Sequence, residues 1–275
     1  MAKKKILVIA EGPADKTFIK KLFELYLGAE VYVVCFRTNI YQLYDSYESY
    51  RQPYENLDLQ NVLLETMGHR LNSNDKKNLQ DSGYSETILI FDFDPHDPKY
   101  SEEKILKLIN HFSDSSDYGR LFINYPMLES FMHINKQCYE KGEKDPAFPS
   151  RTFEMKSLSH YKQDVGSEGF RFSIKPPANQ ADSLLKELRH KVSVVINQHL
   201  EKVAQVTEVE LNEAISQETL YQLLERQCKN ISNHQPAIGF VVNTSCLIIA
   251  DLYPTIFEHS LENHCLGEEE FKKNK

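Results

Sequence analysis

A short apolar run that stops on an acid, a glycine and a proline constrains this chain most. Lys5-Ile-Leu-Val-Ile-Ala10 is continuous, not alternating, which is the pattern of a strand covered on both faces. Glu11-Gly12-Pro13 breaks the run. Phe18, Leu22, Phe23, Leu25 and Tyr26 then recur at helical spacing, with Gly28 near the helix end. Val31 to Phe36 reads as a second strand, Thr87 to Phe91 as a third and Leu121 to Asn124 as a fourth. Between the last two, Ser101 is positioned to cap a helix with Ile105, Leu108, Ile109 and Phe112 on its apolar face and Glu102 and Glu103 in its first turn. This β-α-β rhythm over residues 1–135 predicts an α/β fold, a mainly parallel sheet flanked by helices.

An insertion, residues 37–86, separates the second and third strands. Its Tyr41, Tyr44, Tyr47 and Tyr50 recur every third residue, as one face of an amphipathic helix does; a base-stacking stripe is the competing reading. Residues 136–180 are polar and carry Gly142, Pro146, Pro149, Gly166, Gly169, Pro176 and Pro177, which predicts an irregular or mobile connection. Residues 181–204 and 207–231 read as helices. Ile238 to Ile249 reads as a strand or a buried helix, and 267–275 as a charged tail. Residues 181–275 thus form a mostly helical extension, suited to packing on the first domain, partner docking or a homodimer contact.

Composition removes several classes. No apolar run approaches the roughly 20 residues of a membrane span. Only five apolar residues follow Met-Ala-Lys-Lys-Lys, too few for a signal peptide. Cys35, Cys138, Cys228, Cys246 and Cys265 form no CxxC pair and are odd in number, which argues against a disulfide framework or a zinc finger and predicts a cytoplasmic protein with no membrane contact. With 32 basic and 40 acidic residues the formal charge is −8, so the chain lacks the overall basic coat of many nucleic-acid binders. A local groove, or an acidic pocket built for metal, is still compatible with that balance.

Acidic residues collect where a parallel sheet binds ligands, outside the carboxyl ends of its strands. Glu11 ends strand one, with Asp15 four residues on. Asp92 and Asp94 end strand three, two apart on an extended chain and so pointing the same way. Glu129 follows strand four in Asn124-Tyr-Pro-Met-Leu-Glu129. Gathered carboxylates repel unless a hard cation neutralises them, and oxygen ligands without a cysteine or histidine pair select Mg2+ or Mn2+ over zinc. Such a site suits phosphoryl transfer, with Glu11 as the proton acceptor. Either motif alone also reads as an ordinary turn, because aspartate and Gly-Pro favour turns.

The segments Ile6-Leu-Val-Ile-Ala-Glu11-Gly-Pro-Ala-Asp15-Lys16 and Ile88-Leu-Ile-Phe-Asp92-Phe-Asp94 resemble a TOPRIM domain, the Rossmann-like metal-binding fold of topoisomerases, primases and the OLD-type and RloB-like nucleases. The resemblance covers roughly residues 5–135. It implies Glu11 as general acid or base, Asp92 and Asp94 as metal ligands and Asp15 as a supporting ligand. Pro126-Met-Leu-Glu129-Ser-Phe is similar to the Pro-x-x-Glu segment of RloB-like and PARIS-effector TOPRIM proteins, which implies a metal role for Glu129. By that resemblance the chain is an anti-phage effector nuclease acting on tRNA or DNA, controlled by a partner ATPase. A partner is needed for any ATP dependence, because no GxxxxGK[ST] occurs here. The 50-residue insertion departs from a minimal TOPRIM domain, and no topoisomerase or primase accessory motif is present.

Other residues carry weaker signals. Lys175, in Phe172-Ser-Ile-Lys-Pro-Pro177, is a candidate catalytic phosphate contact, though a lone lysine is ordinarily a solvated charge. His96 and Asp97 are candidates for supporting the metal ligands or for turn formation alone. His111, His133, His190 and His199 read as packing or surface residues on helices, and Cys246 as buried. Two alternatives stand beside the nuclease. A HAD-like phosphohydrolase also places Asp-x-Asp after a strand, but at its first strand, and with Thr or Val where His96 stands here. A non-catalytic TOPRIM-like module would keep the acids for partner binding or stability.

Overall fold

A computed structural model describes residues 4–26, 30–172, 182–209 and 215–252, and these divide into two compact units. The first comprises 4–23 and 30–127, the second 24–26 and the described residues from 128 onward.

In the first unit the chain runs β1 (Lys5–Ala10), α1 (Pro13–Tyr26), β2 (Glu30–Cys35), α2 (Ile40–Glu48), α3 (Leu59–Met67), α4 (Ser73–Gln80), β3 (Glu86–Asp92), α5 (Glu102–His111), β4 (Ser113–Asp114) and β5 (Gly119–Asn124). The sheet is five-stranded in the order β2-β1-β3-β5-β4. β1 pairs in parallel with β2 and β3, and β3 with β5; only the two-residue β4 is antiparallel. The fold is therefore α/β with a mostly parallel sheet flanked by helices. Ile6 to Ala10, Ile88 to Phe91 and Leu121 to Ile123 are all buried, because helices cover both faces and leave no polar side for the strands.

The order β2-β1-β3 carries a consequence for ligands. The chain leaves β1 toward β2 on one side and returns to β3 on the other, then leaves β3 toward β5. Connections therefore diverge between β1 and β3, and in sheets of this topology ligands bind in the crevice outside the carboxyl ends at such a point. The insertion 37–86 forms α2, α3 and α4. Tyr41 and Tyr47 are fully buried in it while Tyr44 and Tyr50 are half-buried, so the stripe is in the main a packing face. At α5, Ser101 occupies the N-cap position but its side chain makes no capping bond, contrary to the sequence expectation.

The second unit contains α6 (Lys136–Lys141), β6 (Thr152–Glu154), α7 (Tyr161–Glu168), α8 (Asp182–Thr207), α9 (Gln217–Asn233), β7 (Ile238–Phe240) and α10 (Leu247–Leu252). Up to residue 172 its first part forms helices and a strand, where composition predicts an irregular connection for 136–180. The Asn135 side chain caps α6, and Gly142 ends it in the left-handed conformation at φ 71°. β6 pairs with β7, and Gln198 Oε1 accepts the Asp145 N–H at 2.7 Å. The packing boundary falls after Met127, several residues before the compositional one at 135. Ile238 to Ile249 divides between the short strand β7 and the start of α10, so each reading of that run holds for part of it. Among the described residues no helix is long and apolar enough to cross a membrane.

Candidate active site

Glu11 and Asp92 end adjacent parallel strands, and their backbones are locked together. The Glu11 N–H donates to the Ile90 carbonyl at 3.2 Å, one step past the Ala10–Ile90 pairing. The Asp92 N–H in turn donates to Glu11 Oε2 at 3.1 Å, so a main-chain donor of β3 orients the glutamate. Asn124, at the end of β5 and fully buried, donates from Nδ2 to Asp92 Oδ1 at 3.3 Å. The Asp92 carboxylate is thus held from the far side by a neutral amide. Sequence reasoning missed Asn124; the signal was a polar residue closing the apolar run Leu121-Phe-Ile.

Phe93 separates the two aspartates and points the other way into the core, fully buried, its N–H bonded to the Asn124 carbonyl at 2.9 Å. Asp92 and Asp94 are both half-buried beside it, as alternation on an extended segment requires. Asp94 Oδ1 accepts the His96 N–H at 3.2 Å, and Asp97 Oδ1 accepts the Lys99 N–H at 2.7 Å. Both are aspartate-stabilised turns. The Tyr41 hydroxyl donates to the Asp94 carbonyl at 3.0 Å, and Asn39, the N-cap of α2, donates to Asp97 Oδ2. The loops after β2 and β3 are thereby tied to each other.

Asp15 lies in the first turn of α1, and its Oδ2 accepts the Gly12 N–H at 3.0 Å. This reach back to the residue before Pro13 is half of a capping box, so Asp15 has a structural task at the head of the helix. It is also buried. Cys35, at the end of β2, has its thiol pKa pushed up by burial; the charge of Lys16 pulls it down, that of Asp75 up, and Arg37 and Asp15 act in the same opposed senses. A thiol so disposed is a poor nucleophile.

The remaining sequence candidates fall in the second unit or outside the described residues. Glu129 belongs to the second unit, in the short 3-10 helix Leu128–Met132. Its Oε1 accepts from Lys162 Nζ at 2.9 Å, while Oε2 is buried with no hydrogen-bond partner among the described residues. Lys175 lies outside the described residues. His133 and His199 are buried in the second unit and Cys246 is fully buried, in keeping with packing roles.

Among the described residues no three His, Cys, Asp or Glu side chains converge into a ready-made metal cage. Mg2+ does not need one, since it keeps several waters and takes only one or two protein carboxylates beside substrate phosphate. Glu11, Asp92 and Asp94 supply hard oxygen donors at neighbouring strand ends, and this donor set fits such an ion. Compared with protein-family models, curated proteins and solved structures, the chain matches none of them.

Proposed function

We propose that this chain is a metal-dependent phosphodiesterase acting on nucleic acid, a TOPRIM-like nuclease using Mg2+ or Mn2+. The observation that carries the reading is the meeting of Glu11 and Asp92 at the crevice between β1 and β3, joined by the Asp92 N–H to Glu11 Oε2 bond. In this reading Glu11 takes the proton of the attacking water, because it stands at the strand end with one carboxylate oxygen fixed by a backbone donor. Asp92 and Asp94 would hold the metal, with Asp15 in support. When bound, the ion neutralises phosphate charge and lowers the pKa of water. Asn124 keeps the Asp92 carboxylate turned toward the crevice, and the Tyr41 hydroxyl holds the Asp94 backbone. Glu129 is not needed for this reading.

The biological setting follows from the resemblance alone: a cytoplasmic toxic effector of anti-phage defence, cleaving tRNA or DNA and controlled by a partner ATPase. A second reading, a non-catalytic module, draws on the backbone N–H bonds of Glu11, Asp15 and Asp94, which give each acid a structural task.

Incubating the purified chain with tRNA and with DNA in Mg2+ or Mn2+ separates the two. The nuclease reading expects cleavage that EDTA stops and that Asp92→Asn and Glu11→Gln each lower by roughly a hundredfold or more without unfolding the protein. Toxicity or defence fully retained in Glu11→Ala would overturn it and favour the module.

A further inference from the structure

Three described residues other than glycine have positive φ: Arg37 at 62°, Arg51 at 51° and Glu208 at 60°. Arg51 and Glu208 come just after the ends of α2 and α8, where a left-handed residue is a common way to stop a helix. Arg37 has no helix to stop. It follows a strand, two residues past the end of β2. A side chain with a Cβ is uncommon in this conformation and is kept there only where its surroundings hold it.

What holds it is Glu11. The Phe36 N–H donates to the Ala10 carbonyl at 2.8 Å, and the Arg37 N–H to the Glu11 carbonyl at 2.8 Å, extending the β1/β2 ladder to the rim of the crevice. One residue thus bonds the backbone of Arg37 through its carbonyl and that of Asp92 through its carboxylate. Arg37 is exposed and makes no ion pair with any described residue. A second cation near Cys35, Lys16, is engaged: its Nζ lies 2.8 Å from Oδ1 of Asp75, whose side chain is buried. Among the described residues Arg37 thus offers an exposed, unpaired guanidinium on the residue whose backbone is bonded to Glu11, and such a fork matches two phosphate oxygens.

We propose that Arg37 is the phosphate-binding residue of the candidate site, receiving a backbone phosphate of the nucleic acid beside Glu11 and Asp92. This rests on the nuclease reading of the same site. It gives a chain of net charge −8 a fixed positive contact where it needs one.

The test uses the full chain in Mg2+, in an Asp92→Asn background so that binding is read without cleavage. Anisotropy of a labelled single-stranded oligonucleotide is measured over a sodium chloride series for Arg37, Arg37→Lys, Arg37→Ala and Arg37→Gly. Loss of the phosphate contact weakens binding by about tenfold in Ala and Gly and lowers the salt slope by about 0.7, while Lys keeps most of both. Melting temperature follows a different order, because glycine adopts this φ without cost and Arg37→Gly melts no lower than Arg37→Ala. Affinity that tracks melting, with Gly above Lys, assigns Arg37 a backbone role and overturns the proposal. Unchanged affinity and slope, or no binding by the background protein, overturns it too. Failure of the nuclease reading looks different: no metal-dependent cleavage by the parent chain, with the Arg37 series in binding intact.

Discussion

Lys202 is buried to 1 % exposure in α8, over the ring of Phe148 at 4.7 Å and donating to the carbonyls of Phe148 and Arg151, with no ion pair to a carboxylate among the described residues. Burial, and then the charge of Arg151, lower its pKa from 10.5 to about 7. Between those two values the unfolded chain holds more protons than the folded one, so this residue makes stability rise with pH from 7 toward 10.5, its penalty being complete below 7. Both carbonyls already accept backbone N–H groups, from Arg151 and Val241 respectively. Lys202→Met therefore leaves no carbonyl unsatisfied and removes a buried charge. It is expected to stabilise by about 2 kcal/mol at pH 6, with the gain shrinking by pH 10; urea denaturation at both values checks it. Asn124 and Arg37 are the site's counterparts at this scale. A buried amide ending an apolar strand was visible in the sequence, but its partner Asp92 was not, because parallel pairing brings together residues 32 positions apart.

Elements were legible in proportion to how strongly one period dominated. β1, β3 and β5 read directly, since strands covered on both faces are continuous apolar runs. The two-residue β4 did not, because it owes its existence to β5 and not to any pattern of its own. The same holds for β6, three residues that form a strand only against β7, whereas β7 lies in the run Ile238 to Ile249 that read as a strand or a helix. That pair has a steric condition. A Cβ built on Gly239 would come within 2.3 Å of the Phe153 ring opposite it. Gly239→Ala should cost about 2 kcal/mol in chemical denaturation, and Phe153→Leu in the same chain should recover part of that loss. Proline and glycine content made 136–180 look irregular. Caps at Asn135 and Gly142, and bonds to α8, order its described part, and composition has no access to those partners.

At the scale of the whole molecule, acid stability divides between the two units. In the second, His199 is fully buried and its pKa is lowered to about 3, by burial first and the Lys202 charge second. His133 is lowered to about 4, by burial and by Arg151, whose Nη1 donates to its Nε2 at 2.9 Å. Both are neutral when folded, so the stability they confer is complete above pH 6.5 and drains away as pH falls toward 4. The combined loss is on the order of 5 kcal/mol, comparable to the whole stability of a small domain. Hydrogen exchange between pH 7 and 4.5 should therefore show α8 and α9 losing protection before β1 and β3; simultaneous loss would count against this account. The sequence by itself determined the α/β class, the apolar strands and the two acidic motifs, because periodicity and strand-end chemistry are local. Only the tertiary structure decided the rest. Strand order put Glu11 and Asp92 at the adjoining ends of β1 and β3, packing assigned Glu129 to the other unit, and a hydrogen bond donated to the Glu11 carbonyl holds the Arg37 backbone. Each of these depends on which distant segments pair, and a single chain's local pattern does not encode that.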